Sequence, residues 1–162
     1  STGGFTDCLL QNDAKCATCI DVGHGQLHYR LRTDPRVENI EKTNIRNIKP
    51  SDIKGSPFSF IVMDLSFISL RKVLPSVWPF LEPQGKLVTL IKPQFECTRQ
   101  EADLGKGIIR DTNIRNRVLN EIKDFAKLNF QDSILILETQ AHPKGTDGNQ
   151  EIFLAWTKNL SD

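Results

Sequence analysis

Short apolar runs separated by longer polar stretches dominate the pattern of this chain. Three of these runs end directly at a charged residue: Ala17–Ile20 before Asp21, Phe58–Met63 before Asp64, and residues 87–91 before Lys92. Continuous apolar runs of this length are typical of parallel strands that are buried on both faces. A weaker run covers Val37–Ile40, and two more, residues 133–137 and 152–156, lie near the end of the chain.

Helical patterns lie between these runs. Residues 6–11 and 25–31 are predicted to form short helices, and residues 70–81 form a third that Pro75 and Pro79 confine or kink. A fourth helix begins near Asp111 and Thr112, a typical N-cap pair. Its apolar side chains recur at spacings of four, four and three: Ile114, Val118, Ile122 and Phe125.

The alternation of strands and helices predicts an α/β fold with a doubly wound, mostly parallel, Rossmann-like sheet. We expect residues 1–162 to form a single domain, and we assume that the last strand runs antiparallel to its neighbours. The connections 42–57 and 93–110 are too long to be simple links, because loops beyond about 12–15 residues in compact domains are usually functional or mobile.

Composition places few further limits on function. The chain has 162 residues, a net charge of +1, 38% hydrophobic and 25% charged residues, as is ordinary for a globular protein. No apolar stretch approaches the roughly 18 residues of a membrane span, so we expect no stable membrane insertion. Basic residues concentrate in segments 30–36, 42–54 and 106–117. Each segment is either an ordinary solvated surface or part of a basic face for RNA.

The cysteines and histidines give little support for a metal site. Cys16 and Cys19 have the spacing of half a zinc site, but no second pair exists, and none of the three histidines has a partner at ligand spacing. We therefore expect no metal, and we expect the four cysteines, which include Cys8 and Cys97, to be buried thiols in a reducing cytoplasm.

Charged residues at the ends of the predicted strands form the sharpest candidate site. Asp21, Asp64 and Lys92 fall at the carboxyl edge of the sheet, where open α/β folds bind ligands, and an antiparallel last strand would bring Glu151 to the same edge. A lysine held between Asp64 and Glu151 can lower the pKa of a nearby hydroxyl group. The alternatives are that Asp64 caps a helix, Lys92 is a solvated strand end and Glu151 is a surface residue.

The first residues suggest a second part of the site. A small, glycine-rich turn precedes the first helix and could hold the polar end of a ligand; it consists of Ser1, Thr2, Gly3, Gly4 and Phe5. Asp21 lies about twenty positions after this turn, where an acidic side chain usually accepts hydrogen bonds from ribose hydroxyls. The alternative is that Asp21 caps the next helix.

Six motifs follow one another in a recognisable order. They are residues 1–7 (STGGFTD), 21–27 (DVGHGQL), 43–46 (TNIR), 64–70 (DLSFISL), 92–96 (KPQFE) and 105–111 (GKGIIRD). In this order they closely resemble the TlyA-type haemolysins, which belong with the FtsJ-like ribosomal RNA methyltransferases. The resemblance covers nearly the whole chain.

This resemblance implies an S-adenosylmethionine-dependent enzyme that methylates ribose 2′-hydroxyls of ribosomal RNA, usually on cytidine. It implies that the turn of residues 1–5 contacts the methionine part of the cofactor. Asp21 and its neighbour Val22 would contact the ribose, and Asn44 and Ile45 the adenine. Asp64, Lys92 and Glu151 match the last three members of a Lys-Asp-Lys-Glu catalytic tetrad. Ribosomal RNA or a ribosomal subunit would be the partner, in the cytoplasm.

The resemblance is incomplete at both ends of the chain. In the family, the first tetrad lysine, the first strand and a small RNA-binding module precede the glycine turn, so we expect this chain alone to be catalytically impaired. Residues 138–145 differ from the usual serine-proline turn, although residues 148–151 still fit the Gly-Asn-x-Glu pattern. Phe95, in the long 93–110 connection, is a candidate for stacking on a base.

Two further interpretations remain open. One is a ribosome-associated module that binds cofactor or RNA without turnover. The other takes the haemolysin name literally, as a membrane-active protein, against which stands the lack of a span or a long, strongly amphipathic helix.

Overall fold

The computed structural model describes residues 1–145 and 147–160, and it divides into two compact units, Ser1–Ile48 and Lys49–Asp162. The expectation of a single domain stays a prediction.

The first unit alternates two short helices with two strands. Its elements are α1 (Gly4–Gln11), β1 (Ala17–Ile20), α2 (Tyr29–Arg32) and β2 (Val37–Ile40), followed by a 3-10 turn at Ile45–Asn47. The two strands pair in parallel, with Ala17 opposite Val37 and Ile20 opposite Ile40. Parallel pairing requires a crossover connection, which here contains α2.

A small apolar core holds the first unit together. Leu10, Leu27 and Leu31 are buried, and Ala17 and Val37 are among the partly buried side chains that pack against them. Burial of a leucine contributes roughly 1.5–3 kcal/mol, so this core supplies a useful but limited share of stability.

Helix α2 is shorter than predicted. The expectation of helix from residue 25 is wrong for residues 25–28, because Gly25 has a φ of 68°, outside the helical region. The helix begins only after His28, whose side-chain Nδ1 accepts a hydrogen bond of 3.3 Å from the backbone N–H of Arg30.

The second unit contains a four-stranded sheet and its helices. Its elements are β3 (Phe58–Met63), α3 (Leu74–Val77), β4 (Leu81–Ile91), α4 (Pro93–Glu96), α5 (Arg99–Leu104), α6 (Thr112–Asn129), β5 (Ser133–Gln140) and β6 (Ile152–Lys158). The strand order is β3-β4-β6-β5. Strands β3 and β4 are parallel, whereas β6 runs antiparallel to both of its neighbours. The predicted mostly parallel α/β fold with an antiparallel last strand is therefore confirmed.

The core of the second unit lies between α6 and the central strands. Leu87 and Ile91 of β4, Leu154 of β6, and Val118 and Ile122 of α6 are all fully buried. As predicted, Asp111 caps α6, since its carboxylate accepts a hydrogen bond of 2.7 Å from the backbone N–H of Asn113.

The predicted helix over residues 70–81 is broken into short pieces. A 3-10 turn at Leu70–Lys72, helix α3 and a second 3-10 turn at Trp78–Phe80 replace it, and Leu81 already belongs to β4. Pro75 and Pro79 each lie in the first turn of a new piece. Proline has no backbone N–H, so each one is tolerated only where a helix restarts.

The expectation of buried cysteines is wrong for two of the four. Cys8 and Cys16 are exposed, whereas Cys19 and Cys97 are partly buried. Cys16 directly precedes β1 and is not part of the strand. Cys8 is two residues from the buried Leu10 and therefore faces a different side of α1.

Strand β5 also departs from the expectation of strands buried on both faces. It is the edge strand of its sheet, and four successive apolar side chains are 40–48% exposed: Ile134, Leu135, Ile136 and Leu137. Apolar residues on both sides of this strand therefore contact solvent. Of the helices in the described residues, none has the length and apolar character that a membrane span requires.

Candidate functional site

In the first unit, the glycine turn and Asp21 are each held by backbone hydrogen bonds. Gly3 has a φ of 96°, and a Cβ atom there would lie 2.4 Å from a methyl carbon of Leu31. Only glycine therefore fits this position. Gly4, in contrast, has open space where a Cβ would stand. The carbonyl of Thr2 accepts a hydrogen bond of 3.1 Å from the N–H of His28.

Asp21 presents an ionised carboxylate in this unit. Its side chain accepts a hydrogen bond of 2.7 Å from the backbone N–H of Gly23. A backbone donor of this kind favours the ionised form of a carboxyl group. His28, rather than Asp21, caps α2.

The segment that carries Asn44 and Ile45 is bonded to the Asp21 segment. The backbone N–H of Thr43 donates to the carbonyl of Asp21 at 2.9 Å, and that of Lys42 donates to the carbonyl of Gly23 at 2.9 Å. Asn44 uses its side-chain oxygen to cap the 3-10 turn that begins with Ile45. The predicted ribose and adenine residues thus belong to two segments that are connected by backbone hydrogen bonds. Val22, which directly follows Asp21, is 70% exposed.

A further contact in this unit was not predicted from the sequence. Glu41 follows β2, and its carboxylate binds the ring nitrogen Nδ1 of His24 at 2.5 Å and the backbone N–H of Gly25 at 2.9 Å. A hydrogen bond from Asn39, assisted by these two donors, lowers the pKa of Glu41. Glu41 therefore fixes the 21–25 loop against the end of β2.

In the second unit, Lys92 and Asp64 meet at the ends of two neighbouring strands. Asp64 follows β3 and Lys92 follows β4, and these strands are parallel, so both side chains leave the same edge of the sheet. The ammonium nitrogen of Lys92 lies 2.6 Å from Oδ1 of Asp64 and 3.2 Å from the hydroxyl oxygen of Ser66. The expected pairing of these two residues is present in the structure.

Glu151 lines the same pocket as Lys92. The pocket has a volume of about 380 Å³ and is lined by Ser66, Phe67, Lys92, Gln94, Phe95, Ala102, Gly107, Gly145, Asp147, Asn149 and Glu151. Burial raises the pKa of the Glu151 carboxyl group; the charges of Asp64 and Asp147 add to this rise, while Lys92 opposes it. The pKa of Glu151 therefore depends on the charges of both Lys92 and Asp64.

The alternative interpretations of these three residues fit the structure less well. Ser69, rather than Asp64, caps the following 3-10 turn, since its hydroxyl accepts a hydrogen bond from the N–H of Arg71 at 3.2 Å. The side chain of Lys92 is only 14% exposed, so it is not a solvated strand end. Glu151 packs against Gly145, where a Cβ atom would lie 2.8 Å from its Oε1.

One other residue of the pocket, Asn149, was missed by sequence reasoning. Asn149 is almost fully buried and forms two hydrogen bonds of 2.8 Å, accepting from the N–H of Ile109 and donating to the carbonyl of Gly107. It joins the segment before Glu151 to the 105–110 loop. Its place in the Gly-Asn-x-Glu pattern was the available signal.

An aromatic pair forms another part of the pocket wall. The rings of Phe67 and Phe95 have centroids 5.0 Å apart at an angle of 50°. The side chain of Phe67 is 91% exposed, and its φ is 63°. A large residue in the left-handed region is unusual and marks a strained position of the kind that clusters at functional sites.

Other surfaces of the described residues offer fewer candidate binding or catalytic groups. A larger but shallow depression on α5 is lined by Arg99, Gln100, Asp103 and Leu104, which form an ordinary solvated helix face. Within residues 1–145 and 147–160, no three His, Cys, Asp or Glu side chains are grouped so that they could hold a metal ion.

Comparison with known proteins fits this geometry. The family model for FtsJ-like methyltransferases matches residues 1–158. The chain belongs to the FtsJ-like methyltransferase family. The family that the ordered motifs indicated is thereby confirmed.

Several FtsJ-like relatives are similar over most of this chain. Hemolysin A of Brachyspira hyodysenteriae is 43% identical over 152 residues, which cover 93% of this chain and 62% of the relative. The 16S/23S rRNA (cytidine-2′-O)-methyltransferase TlyA of Mycobacterium tuberculosis is 39% identical over 164 residues, covering 100% of this chain and 59% of that protein. The chain thus spans about three fifths of the length of these relatives.

A solved structure shows the same fold. The structure of a protein named as a hemolysin from Lactococcus lactis superposes with a TM-score of 0.92 at 38% identity, covering 98% of this chain and 74% of that one. The Rossmann-like methyltransferase fold expected from the sequence is confirmed.

Proposed function

We propose that this FtsJ-like protein is an S-adenosylmethionine-dependent methyltransferase that modifies ribose 2′-hydroxyl groups of ribosomal RNA, with cytidine as the target nucleoside. Ribosomal RNA or a ribosomal subunit is the proposed partner, in the cytoplasm. The observation that carries the proposal is the contact of 2.6 Å between Asp64 and Lys92, since Lys92 lines the same pocket as Glu151. The names of similar proteins, such as TlyA of M. tuberculosis, support the substrate class.

Lys92 is the proposed catalytic residue. An ammonium group close to the ribose hydroxyl stabilises the negative charge that develops on its oxygen in the transition state of methyl transfer. Asp64 and Ser66 hold the lysine side chain, so its charge is already in place before the reaction and needs no reorganisation. Glu151 supplies a second carboxylate at the same pocket, opposite in charge to Lys92.

The first unit is the proposed cofactor-binding part. S-adenosylmethionine, when bound, supplies the methyl group that is transferred. The residues fit such a ligand, because Gly4 leaves open space beside the main chain and Asp21 offers an ionised acceptor suited to ribose hydroxyls. Ser1, Thr2, Gly3 and Phe5 would complete the methionine end, Val22 would lie by the ribose, and Asn44 and Ile45 would contact the adenine.

Base stacking is also part of the proposal. The exposure of the two rings favours Phe67 over Phe95 as the residue that stacks on a base. Phe95 is partly buried and contacts Phe67, whose ring is 91% exposed. Phe67 therefore offers an exposed aromatic ring, and Phe95 packs against that ring. Unstacked RNA bases are commonly bound on aromatic side chains in this way.

A longer protein is also part of the proposal. The relatives are longer than this chain, and their resemblance suggests an upstream lysine, a first strand and a small RNA-binding module. These parts would supply the first member of the Lys-Asp-Lys-Glu set and much of the affinity for RNA. Full activity is therefore expected of the natural full-length protein.

Transfer of a tritiated methyl group to purified ribosomal subunits by the natural full-length protein tests the proposal. We expect label in RNA at a ribose, detected as a nucleotide linkage that resists alkaline hydrolysis. Cofactor binding without any label in RNA would favour the non-catalytic module instead. Leakage of dye-loaded liposomes at low protein concentration, without methyl transfer, would favour a membrane-active protein.

A further inference from the structure

Two loops of the second unit lie side by side and carry most of the pocket chemistry. We call residues 64–70 and 92–96 the paired loops, although the second contains the short helix α4. The first follows β3 and begins with Asp64; the second follows β4 and begins with Lys92. Their relative position decides whether the Lys92 ammonium meets Asp64.

Three contacts join the paired loops along their length. At one end, Lys92 binds Asp64 and Ser66. In the middle, Phe67 and Phe95 pack with ring centroids 5.0 Å apart. The third contact, at the far end of the loops, is made by the carboxylate of Glu96.

Glu96 makes two short hydrogen bonds at this end. Its Oε2 accepts a hydrogen bond of 2.6 Å from the hydroxyl of Ser69, and its Oε1 accepts one of 2.6 Å from the backbone N–H of Leu70. Only 5% of Glu96 is exposed. Short bonds to a carboxylate out of water are about twice as strong as neutral ones.

Helix α6 anchors this end of the loops as well. The guanidinium of Arg71 donates at 3.1 Å to the backbone carbonyl of Glu96 and at 3.1 Å to Oε2 of Glu121 in α6. Arg117, also in α6, binds Glu121 at 2.7 Å. The far end of the paired loops is thus tied to the rigid scaffold of the unit.

The strained backbone of Phe67 lies between the two fixed ends. A non-glycine residue at φ 63° persists only where the surrounding structure determines it, at an expense of about 1–3 kcal/mol. Here the Lys92 contact fixes the loop on one side of Phe67, and the Glu96 contact fixes it on the other.

We propose that Glu96 is a positioning residue for methyl transfer: it sets the spacing of the paired loops, and thereby the placement of Lys92 against Asp64 and of Phe67 at the pocket. This inference rests on the proposed function. Glu96 does not line the pocket, so it acts through the loops rather than on the substrate.

Two substitutions of Glu96 separate the effect of its side-chain length from the effect of its charge. Glu96→Gln keeps the length of the side chain, since its carbonyl oxygen can accept from Leu70 and its amide can donate to the Ser69 hydroxyl. Glu96→Asp keeps the charge but shortens the side chain by one methylene group. If Glu96 sets the loop spacing, the Gln variant retains kcat close to wild type, while the Asp variant loses about ten- to a hundredfold, as small misplacements do.

The measurement is the single-turnover rate and the KM for ribosomal subunits of the natural full-length protein. The loss in Glu96→Asp should appear in kcat, with little change in KM or in cofactor affinity. Glu138→Gln and Glu138→Asp are matched controls, because Glu138 pairs with Lys123 on the surface at 3.0 Å, and both should behave as wild type. Melting temperatures establish that the variants are folded.

Hydrogen exchange at the Leu70 amide provides a readout that does not need activity. We expect faster exchange in Glu96→Asp and wild-type exchange in Glu96→Gln. A folded Glu96→Asp protein with wild-type kcat and Leu70 exchange would overturn the inference, as would a slow Glu96→Gln protein beside an active Glu96→Asp. If wild type transfers no methyl group, the proposed function fails, while the exchange data still decide whether Glu96 holds the loops.

Discussion

The ammonium nitrogen of Lys92 lies 2.6 Å from Oδ1 of Asp64, at the ends of two neighbouring parallel strands. The lysine side chain is only 14% exposed, whereas that of Asp64 is 39% exposed. Lys92, the more sheltered partner of the contact, is the one that lines the pocket. A ligand hydroxyl that enters the pocket meets a cation whose position is already fixed.

Removal of this cation should abolish most of the activity. Lys92→Met keeps the length and apolar part of the side chain but eliminates the charge, so we expect kcat to fall by about 10²–10³, as for the loss of one stabilising donor. Cofactor affinity should not change. Lys123→Met is the matched control, because that lysine pairs with Glu138 on the surface. Wild-type methyl transfer by folded Lys92→Met would contradict the assignment.

Asp21 should control cofactor affinity rather than chemistry. Asp21→Asn removes the ionised acceptor but keeps the shape, so binding of S-adenosylhomocysteine, measured by calorimetry, should weaken about ten- to a hundredfold. The control is Asp13→Asn, an exposed position with a φ of 67° that asparagine tolerates. Unchanged affinity in Asp21→Asn, with a loss in the control, would count against the proposed ribose contact.

Glu151 should make stability depend on pH in a defined direction. Its pKa is raised in the folded protein, so ionisation opposes folding, and wild type should lose stability relative to Glu151→Gln as the pH rises through the folded pKa. The two proteins should differ little below the ordinary value of 4.5. Urea unfolding at a series of pH values measures this difference. If wild type instead gained stability relative to Glu151→Gln as the pH rises, the Glu151 carboxylate would be stabilised by Lys92 more than burial penalises it.

Asn149 should stabilise the second unit through its two hydrogen bonds. Asn149→Ala leaves the N–H of Ile109 without its partner, and we expect the free energy of unfolding to fall by about 1–3 kcal/mol. Hydrogen exchange at the Ile109 amide should accelerate more than elsewhere. Asn120→Ala on the exposed face of α6 is the control and should be neutral. Equal stability of the two variants would show that the bonds of Asn149 contribute nothing net.

Phe67 should reverse the usual order of alanine and glycine. Its φ of 63° strains any residue with a Cβ, so Phe67→Gly should be more stable than Phe67→Ala by roughly 1 kcal/mol in urea unfolding. At Gln100, an exposed position within α5, the order should be the ordinary one, with alanine more stable. If alanine were the more stable at both positions, the left-handed conformation of Phe67 would be contradicted.

The sequence predicted the strands well because each has a simple apolar pattern. Residues 87–91 were found as a strand, and the antiparallel direction of β6, which brings Glu151 to the Lys92 edge, followed from an assumption about topology. Asp64 and Lys92 were found because both end such runs. Their mutual distance depends on strand order, which no local pattern encodes.

The parts that escaped prediction depend on contacts between distant segments. Glu96 bonds to Ser69 and Leu70 across more than twenty residues, and Asn149 bonds to Gly107 across 42. The predicted helix over residues 70–81 is broken rather than kinked, because a new helical piece begins at each of Pro75 and Pro79. Cys8 was assigned to the interior on residue type alone, although buried Leu10 defines the inner face of α1.

The edge strand β5 has a practical consequence for handling the protein. A row of backbone groups along its outer side has no partner strand within the described sheet, and the apolar side chains Ile134 to Leu137 flank that row. Such an edge is a template for pairing between molecules and thus for aggregation at high concentration. A lysine in place of Ile136, on a side chain that is 48% exposed, should raise the solubility limit without reaching the Lys92 pocket.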